Sequence, residues 1–384
     1  TPLARVGSQK LTMTSDESSP SVLRRVVQGQ NARNRSPQTD RNPNLDLLRG
    51  VAVLLVLGRH MDYFHIWTKI GWAGVDLFFV LSGFLISGLL FTDWKEHNTI
   101  DIKRFYIRRG FKIYPPFYVL LAVSLAAVTI RPHVTPFPVN AVSVSVEALF
   151  LQSYFTGIWG HTWSLAVEEH FYLVLPLILR VMLRDRSTDP FRLLPGLFMI
   201  VSAACVLMRI RVGSAIYPMI YLAPTHLRID ALLFGVLLGY WRHFHIETFK
   251  KIQKSSMALC IIVLSIAALL WIPVENPLMH TVGFTLLYLG FGFLLARIID
   301  LELSRYSARL VNPICSVGYY SYSIYLWHFG IAQLVPRSGF LSFFFYVTAA
   351  IIVGILMAKL IEVPTLAVRD RLFPSRISRA LVQA

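Results

Sequence analysis

The chain has 384 residues, 55% of them hydrophobic and only 15% charged, with a mean hydropathy of +0.56. Soluble domains carry about 25% charged residues, so this composition excludes an ordinary water-soluble protein and reads as a polytopic membrane protein in contact with a lipid bilayer. The formal charge of +16 would suit nucleic acid. The basic residues, however, lie in loops between apolar runs, where they report membrane topology, and no nucleic acid is expected.

Residues 1–44 are rich in Ser, Asn, Gln and Arg and read as a disordered basic cytoplasmic tail with no apolar signal-peptide core. Apolar runs then place spans at 45–63, 72–91, 113–130, 163–183, 194–212, 226–241, 256–273, 281–299, 315–335 and 341–361. The sixth is short and polar at its start, which predicts a tilted or broken helix. Segment 141–155 is apolar but too short to cross, so it reads as a re-entrant or interfacial helix. A transmembrane domain over 45–364 and a basic cytoplasmic tail over 365–384 complete the organisation. With ten spans, 29 of the 37 Lys and Arg residues fall on one side and five on the other. That bias predicts both termini in the cytoplasm. Cys205, Cys260 and Cys315 each lie in an apolar run without a CxxC neighbour, so neither a disulfide framework nor a metal site is expected. The expected fold is an all-α membrane protein with about ten transmembrane helices.

Ionisable residues inside apolar runs are costly and face a cavity or a partner. Arg49 and His60 lie eleven residues apart in the first span. Helical steps of about 100° put both on one face, roughly 16 Å apart along the axis. Taken singly, Arg49 also reads as a snorkelling anchor beside Asp46, and His60 as an interfacial histidine. The loop before span three carries Lys103, Arg104, Arg108, Arg109 and Lys112, which reads as a topogenic cluster or as a phosphate clamp. In span four, Ser164, Glu168 and Tyr172 are spaced i, i+4, i+8 and share a face. Glu168 lies at a depth like that of His60 and suits the orientation of an imidazole. Asp76 opens span two, and Tyr325 and His328 sit in the upper half of span nine. Arg228 and Asp230 open span six and are expected to neutralise each other. The HxxxD pattern from His226 to Asp230 is too short to carry weight in a membrane helix, and no GxSxG, P-loop or HExxH motif is present.

Taken together, these segments resemble the acyltransferase-3 family of integral membrane O-acyltransferases. The matching pieces are Leu47-Leu48-Arg49-Gly50 with His60, and Gly74-Val75-Asp76-Leu77-Phe78-Phe79-Val80-Leu81-Ser82-Gly83-Phe84-Leu85. Arg108-Arg109 with Pro115, Trp163-Ser164-Leu165 with Glu168 and Phe171-Tyr172, and Arg228 with Asp230 follow. Tyr325-Leu326-Trp327-His328 and Glu362-Val363-Pro364 complete the set, in family order across 45–364. One departure is Lys112, where the family's Arg-Arg-x-x-Arg motif ends in arginine, so bidentate phosphate contact is lost at that position.

The resemblance implies an acyl-CoA donor, most often acetyl-CoA, entering from the cytoplasm. It also implies an acceptor hydroxyl on a glycan, lipid-linked sugar or small natural product. On this reading His60 and Glu168 are the catalytic candidates, and Arg49, Arg104, Arg108, Arg109 and Lys112 bind the donor. Asp76, Ser164, Tyr172, Arg228 and His328 are the substrate-binding candidates. The expected location is the bacterial cytoplasmic membrane, and the membrane domain is expected to reach its acceptor without an appended SGNH-type domain. The competing reading is a transporter or exporter without acyl chemistry, since buried Arg, His and Glu also suit proton-coupled transport. Many transporters have two related halves, and none is detected here. A non-catalytic scaffold or receptor that kept the fold is a third.

Overall fold

The computed structural model describes residues 42–61, 63–131, 134–185, 187–212, 222–303, 308–336 and 339–376. Most of the expected N-terminal tail, and the last residues of the C-terminal one, lie outside them. The described residues are helical and contain no strand.

Helix α1 (Pro43–Arg59) starts where Asn42 caps the Asn44 N–H at 2.9 Å and Pro43 occupies the first helical turn. Asn44 Nδ2 donates to Ile299 O (2.8 Å) and Leu301 O (3.0 Å), which ties this end to a distant loop. A short α2 (His65–Ile70) and a turn at Gly71–Ala73 lead into α3 (Gly74–His97), which stops at Asn98 in the left-handed region, φ 53°. Asp101 caps α4 (Ile102–Ile130) by accepting from Arg104 N at 3.0 Å. Asn140 and Ser143 form a capping box on α5 (Ala141–Ala148). Then come α6 (Trp163–Met182), α7 (Leu194–Val212) and α8 (Ile229–Phe244). A 58° bend separates α9 (Ile246–Lys254) from α10 (Ser256–Trp271). Beyond α11 (Phe284–Ile298), α12 (Ala308–Tyr319) and α13 (Ser321–Ala332) meet at Tyr320. Finally α14 (Phe340–Met357) passes through a π turn at Ala358–Glu362 into α15 (Val363–Leu372).

A helix lies in each of the ten segments read as spans. By length and apolar composition, five stretches suffice to cross a membrane: His65–His97, Ile102–Ile130, Leu194–Val212, Met279–Ile298 and Phe340–Leu372. The bent α9–α10 pair makes up to six if it is one span. The remaining segments are shorter, broken, or interrupted by acids such as Glu168 and Glu169. Large apolar side chains point outward on α6 (Leu173, Val174, Leu177), α10 (Met257, Val263, Leu264) and α14 (Phe344, Phe345, Ile352), as lipid-facing helices require.

The centre of the bundle is α3 against α8. A Cβ on Gly83 would lie 1.9 Å from Leu232 O, and one on Gly235 would lie 2.2 Å from Val80 O, so the two backbones touch. Gly83→Val is therefore expected to prevent folding. Size-exclusion chromatography of the detergent-extracted protein checks this, and a monodisperse variant would contradict the packing.

Two buried ion pairs also join the helices. Arg228 Nη2 donates to Asp76 Oδ1 at 2.6 Å, with its guanidinium 4.0 Å from the Phe284 ring centre. Asp230 pairs with Arg209 instead, through Nη2–Oδ2 (2.8 Å) and Nη1–Oδ1 (3.3 Å). This corrects the expected Arg228–Asp230 neutralisation: residues two apart on a helix do not face each other, and each finds its partner on another helix. Arg209, within the span expected over 194–212, is fully buried.

The C-terminal segment also departs from a free tail. Beyond α15 it returns to α4, where Arg104 Nε donates to Pro374 O (3.1 Å) and Arg108 donates to Phe373 O. Arg376 pairs with Asp101 at 3.1 Å.

Candidate active site

Three cavities follow one another through the bundle. The first, about 270 Å³, is basic. Arg104, Arg108 and Lys112 stand at four-residue spacing on one face of α4. With Arg109, Arg369 and Arg376 they line it against two carboxylates, Asp93 and Asp101. The Arg104 N–H and, behind it, the Arg376 guanidinium hold the Asp101 carboxyl below the usual carboxylate range. The carbonyls of residues 373 and 374 orient the guanidiniums of Arg108 and Arg104. Lys112 is ion-paired with buried Glu362, which also accepts from Ser323 Oγ at 2.7 Å, so its charge is already countered.

The second cavity, about 70 Å³, shares Arg109 and Lys112 with the first. Arg49, Ser82, Ser164, Glu168 and Tyr325 are also on its wall. The shared face read in span four is present. Ser164 and Glu168 line the cavity, and Tyr172 OH donates to Glu168 Oε2 at 2.8 Å. Ser82 Oγ donates to Glu168 Oε1 at 2.8 Å, and Arg109 Nη2 lies 3.8 Å from Oε2. The Arg109 guanidinium sits 4.1 Å from the Tyr172 ring centre. The Glu168 carboxylate is thus held by Ser82, Tyr172 and Arg109 rather than by the expected imidazole.

The third cavity is the largest, about 730 Å³, and shares Val75 and Tyr325 with the second. His60, the C-cap of α1, is on its wall. The His60 ring centre lies 5.1 Å from that of His328 and 4.7 Å from that of Phe329. His328 in turn lies 5.0 Å from His161, which also lines the cavity. Carbonyls only accept, so His328 Nδ1 donates to Tyr325 O and His161 Nε2 donates to Leu326 O. Their other ring nitrogens are buried with no hydrogen-bond partner among the described residues. Tyr325 OH donates to His161 O (2.8 Å) and lies 2.6 Å from Ser164 Oγ, at the junction of the two cavities.

The structure therefore brings Arg49, Arg104, Arg108, Arg109, Lys112, Ser164, Glu168 and His60 onto one series of cavities. Tyr172 and His328 stand directly behind its walls. Asp76 and Arg228 line none of the three cavities, and their mutual pairing joins α3 to the start of α8. His161, Gln152, Arg369 and Arg376 were not singled out in the sequence. His161, Gln152 and Arg376 lie outside the regular helices and Arg369 in the short α15, and only tertiary packing brings them in.

Residues 42–359 match the acyltransferase domain family designated acyltransferase-3. The chain is 28% identical over 353 residues to the peptidoglycan O-acetyltransferase OatA of Listeria monocytogenes, an alignment covering 84% of this chain and 55% of that protein. It is also 28% identical over 318 residues to the O-acetyltransferase OatA of Staphylococcus aureus, covering 76% and 51%. The chain spans about half the length of the curated relatives it matches. No solved structure matches. With an apolar helical bundle and a family match across 42–359, the chain belongs to the acyltransferase-3 family.

Proposed function

We propose that the chain is a membrane O-acyltransferase that moves an acetyl group from acetyl-CoA to a hydroxyl of an acceptor on the far side of the bilayer. The observation that carries this reading is the series of cavities, basic at one end and histidine-lined at the other, in which each neighbouring pair shares lining residues. In this reading the bundle has ten spans with both termini cytoplasmic, so the basic cavity opens to the donor. Six cations suit the phosphates of CoA, with Arg109 and the carbonyl-oriented Arg104 as the principal contacts and Arg108 and Lys112, ion-paired with Asp370 and Glu362, as lesser ones. The thioester arm passes Arg49 and the Glu168–Arg109–Tyr172 group and reaches His60. The imidazole takes the proton of the acceptor hydroxyl. The oxygen bonds to the thioester carbonyl carbon, the carbon–sulfur bond breaks, and the leaving thiolate takes the proton back from the imidazolium. The names of the relatives, both O-acetyltransferases, support an acetyl donor and a hydroxyl acceptor.

The test is acetyl transfer from labelled acetyl-CoA in membranes carrying the chain. Arg109→Ala is expected to raise the KM for acetyl-CoA by about ten- to hundredfold, the loss of a charge-assisted contact, with a smaller change in kcat. An unchanged KM in a folded variant removes Arg109 from the donor site.

A further inference from the structure

We propose that Arg59 is an anion receptor on the wall of the third cavity, and that the acceptor carries a carboxylate or phosphate besides the hydroxyl that is acylated. This rests on the acyl-transfer reading and narrows its acceptor to an anionic one. Arginines line all three cavities, but the first also holds Asp93 and Asp101, and the second Glu168. The third has Arg59 on its wall and, among the described residues, neither Asp nor Glu. Arg59 makes no ion pair among the described residues, and its one hydrogen bond there runs from Nη1 to Thr68 O at 3.1 Å. A guanidinium has five N–H donors. The Nε and Nη2 groups of Arg59 meet no acceptor among the described residues and, unlike Arg209 Nε, are not sealed from the surface, so a ligand reaches them. A half-buried cation on a cavity without a counter-charge suits a ligand that brings one. The parallel N–H groups of its fork match the paired oxygens of a carboxylate or phosphate.

The guanidinium is positioned by the packing of α2 on the end of α1. A Cβ on Gly58 would lie 1.9 Å from the Trp67 ring, and one on Gly71 would lie 3.0 Å from Arg59 Cβ, so α2 and the turn after it press against the last turn of α1. Trp67 Nε1 donates to Leu54 O (2.9 Å) and Thr68 Oγ1 to Met61 O (2.8 Å), which fixes the Thr68 carbonyl that Nη1 meets. A basic side chain in a last helical turn also complements the helix dipole. One that did only this would stay by the carbonyls of α1, whereas Arg59 bonds across to α2. Arg59 and His60 are consecutive, and both line the cavity. An acceptor anchored by its anion therefore presents its hydroxyls along the wall that carries the imidazole. Trp72, Trp159 and Trp163 on the same wall offer flat apolar faces to a ring.

The detergent-extracted full chain is saturated with CoA, which fills the basic cavity, and is then titrated at constant ionic strength with glucuronate, glucose 6-phosphate and glucose. Thermal unfolding reads the apparent Kd of each. Glucuronate or glucose 6-phosphate is expected to bind about tenfold or more tightly than glucose, the gain of a charge-assisted contact, and the tighter of the two tells carboxylate from phosphate. Arg59→Gln is expected to reduce that anion to the affinity of glucose, with CoA binding unmoved. Arg59→Lys, which keeps the charge without the fork, is expected to retain part of the preference. Two anions that bind no better than glucose overturn the proposal without any variant. So does an Arg59→Gln protein that binds CoA and still prefers the anion. A full chain that binds no CoA overturns the acyl-transfer reading, and this one with it, before any anion is added.

Discussion

Acyl transfer is expected to fall by about 10²- to 10⁴-fold on His60→Ala, the usual contribution of a positioned general base, while donor binding is retained. The imidazole stands on the wall of the third cavity at the C-terminal end of α1, and imidazole is the side-chain type suited to general-base work. Its position is set by the end of α1 below and by Phe329, whose ring meets it edge-on. The basic cavity lies at the other end of the series, so its affinity for CoA has no reason to change. Two other imidazoles sharpen the test. His161 lines the same cavity, and His328 lies behind it with ring centres about equally distant from both others. If His60 is the base, His161→Ala and His328→Ala act by loosening its surroundings and lose less. A larger loss at His161 would transfer the role to that residue, and near-normal transfer by His60→Ala would remove His60 from the chemistry. Equilibrium binding of CoA to each variant separates a lost base from a lost fold.

The positions of the helices were legible because burial in lipid forces long apolar runs; their starts were less so, since the helix of the third span begins at Ile102, after its Asp101 cap, and not at the expected 113. The same cost of burying charge made Arg49, His60 and Glu168 conspicuous, and all three line the cavities. Partners were far less legible. Glu168 and His60 were joined on depth alone, but depth leaves azimuth free, and the α6 face carrying Glu168 turns toward Ser82 and Arg109. Arg228 and Asp230 were joined on proximity in sequence, although two helical steps separate them by about 200°. Gln152 and His161 lie in the stretch between α5 and α6, where no period constrains the chain. The stretch is placed by the contacts of His161 with α13 and of Ser153, next to Gln152, with the turn before α8, which no local pattern encodes. The return of residues 373–376 onto α4 is likewise a tertiary event, and composition alone made it a tail.

Breaking the Arg209–Asp230 pair is expected to destabilise the bundle by roughly 3–5 kcal/mol, because the charge left behind is buried without a counter-ion. Both residues are 0% exposed. Beyond its two bonds to Asp230, Arg209 donates to Leu227 O at 3.0 Å and Thr285 Oγ1 at 2.9 Å, so one guanidinium holds α7, the turn before α8, and α11 together. Arg209→Met strands the carboxylate of Asp230, which among the described residues keeps the Ala231 N–H at 3.1 Å. Asp230→Leu strands the guanidinium, which keeps the Leu227 carbonyl and the Thr285 hydroxyl. Arg209→Met is therefore expected to be the more damaging of the two. The double variant removes both charges and is expected to regain much of the loss, as apolar replacements of buried pairs do. Thermal unfolding in detergent measures all three. Additive losses in the double variant, or single variants within about 1 kcal/mol of the parent, the worth of an exposed pair, would mean that water reaches this pair and that it does not hold the bundle.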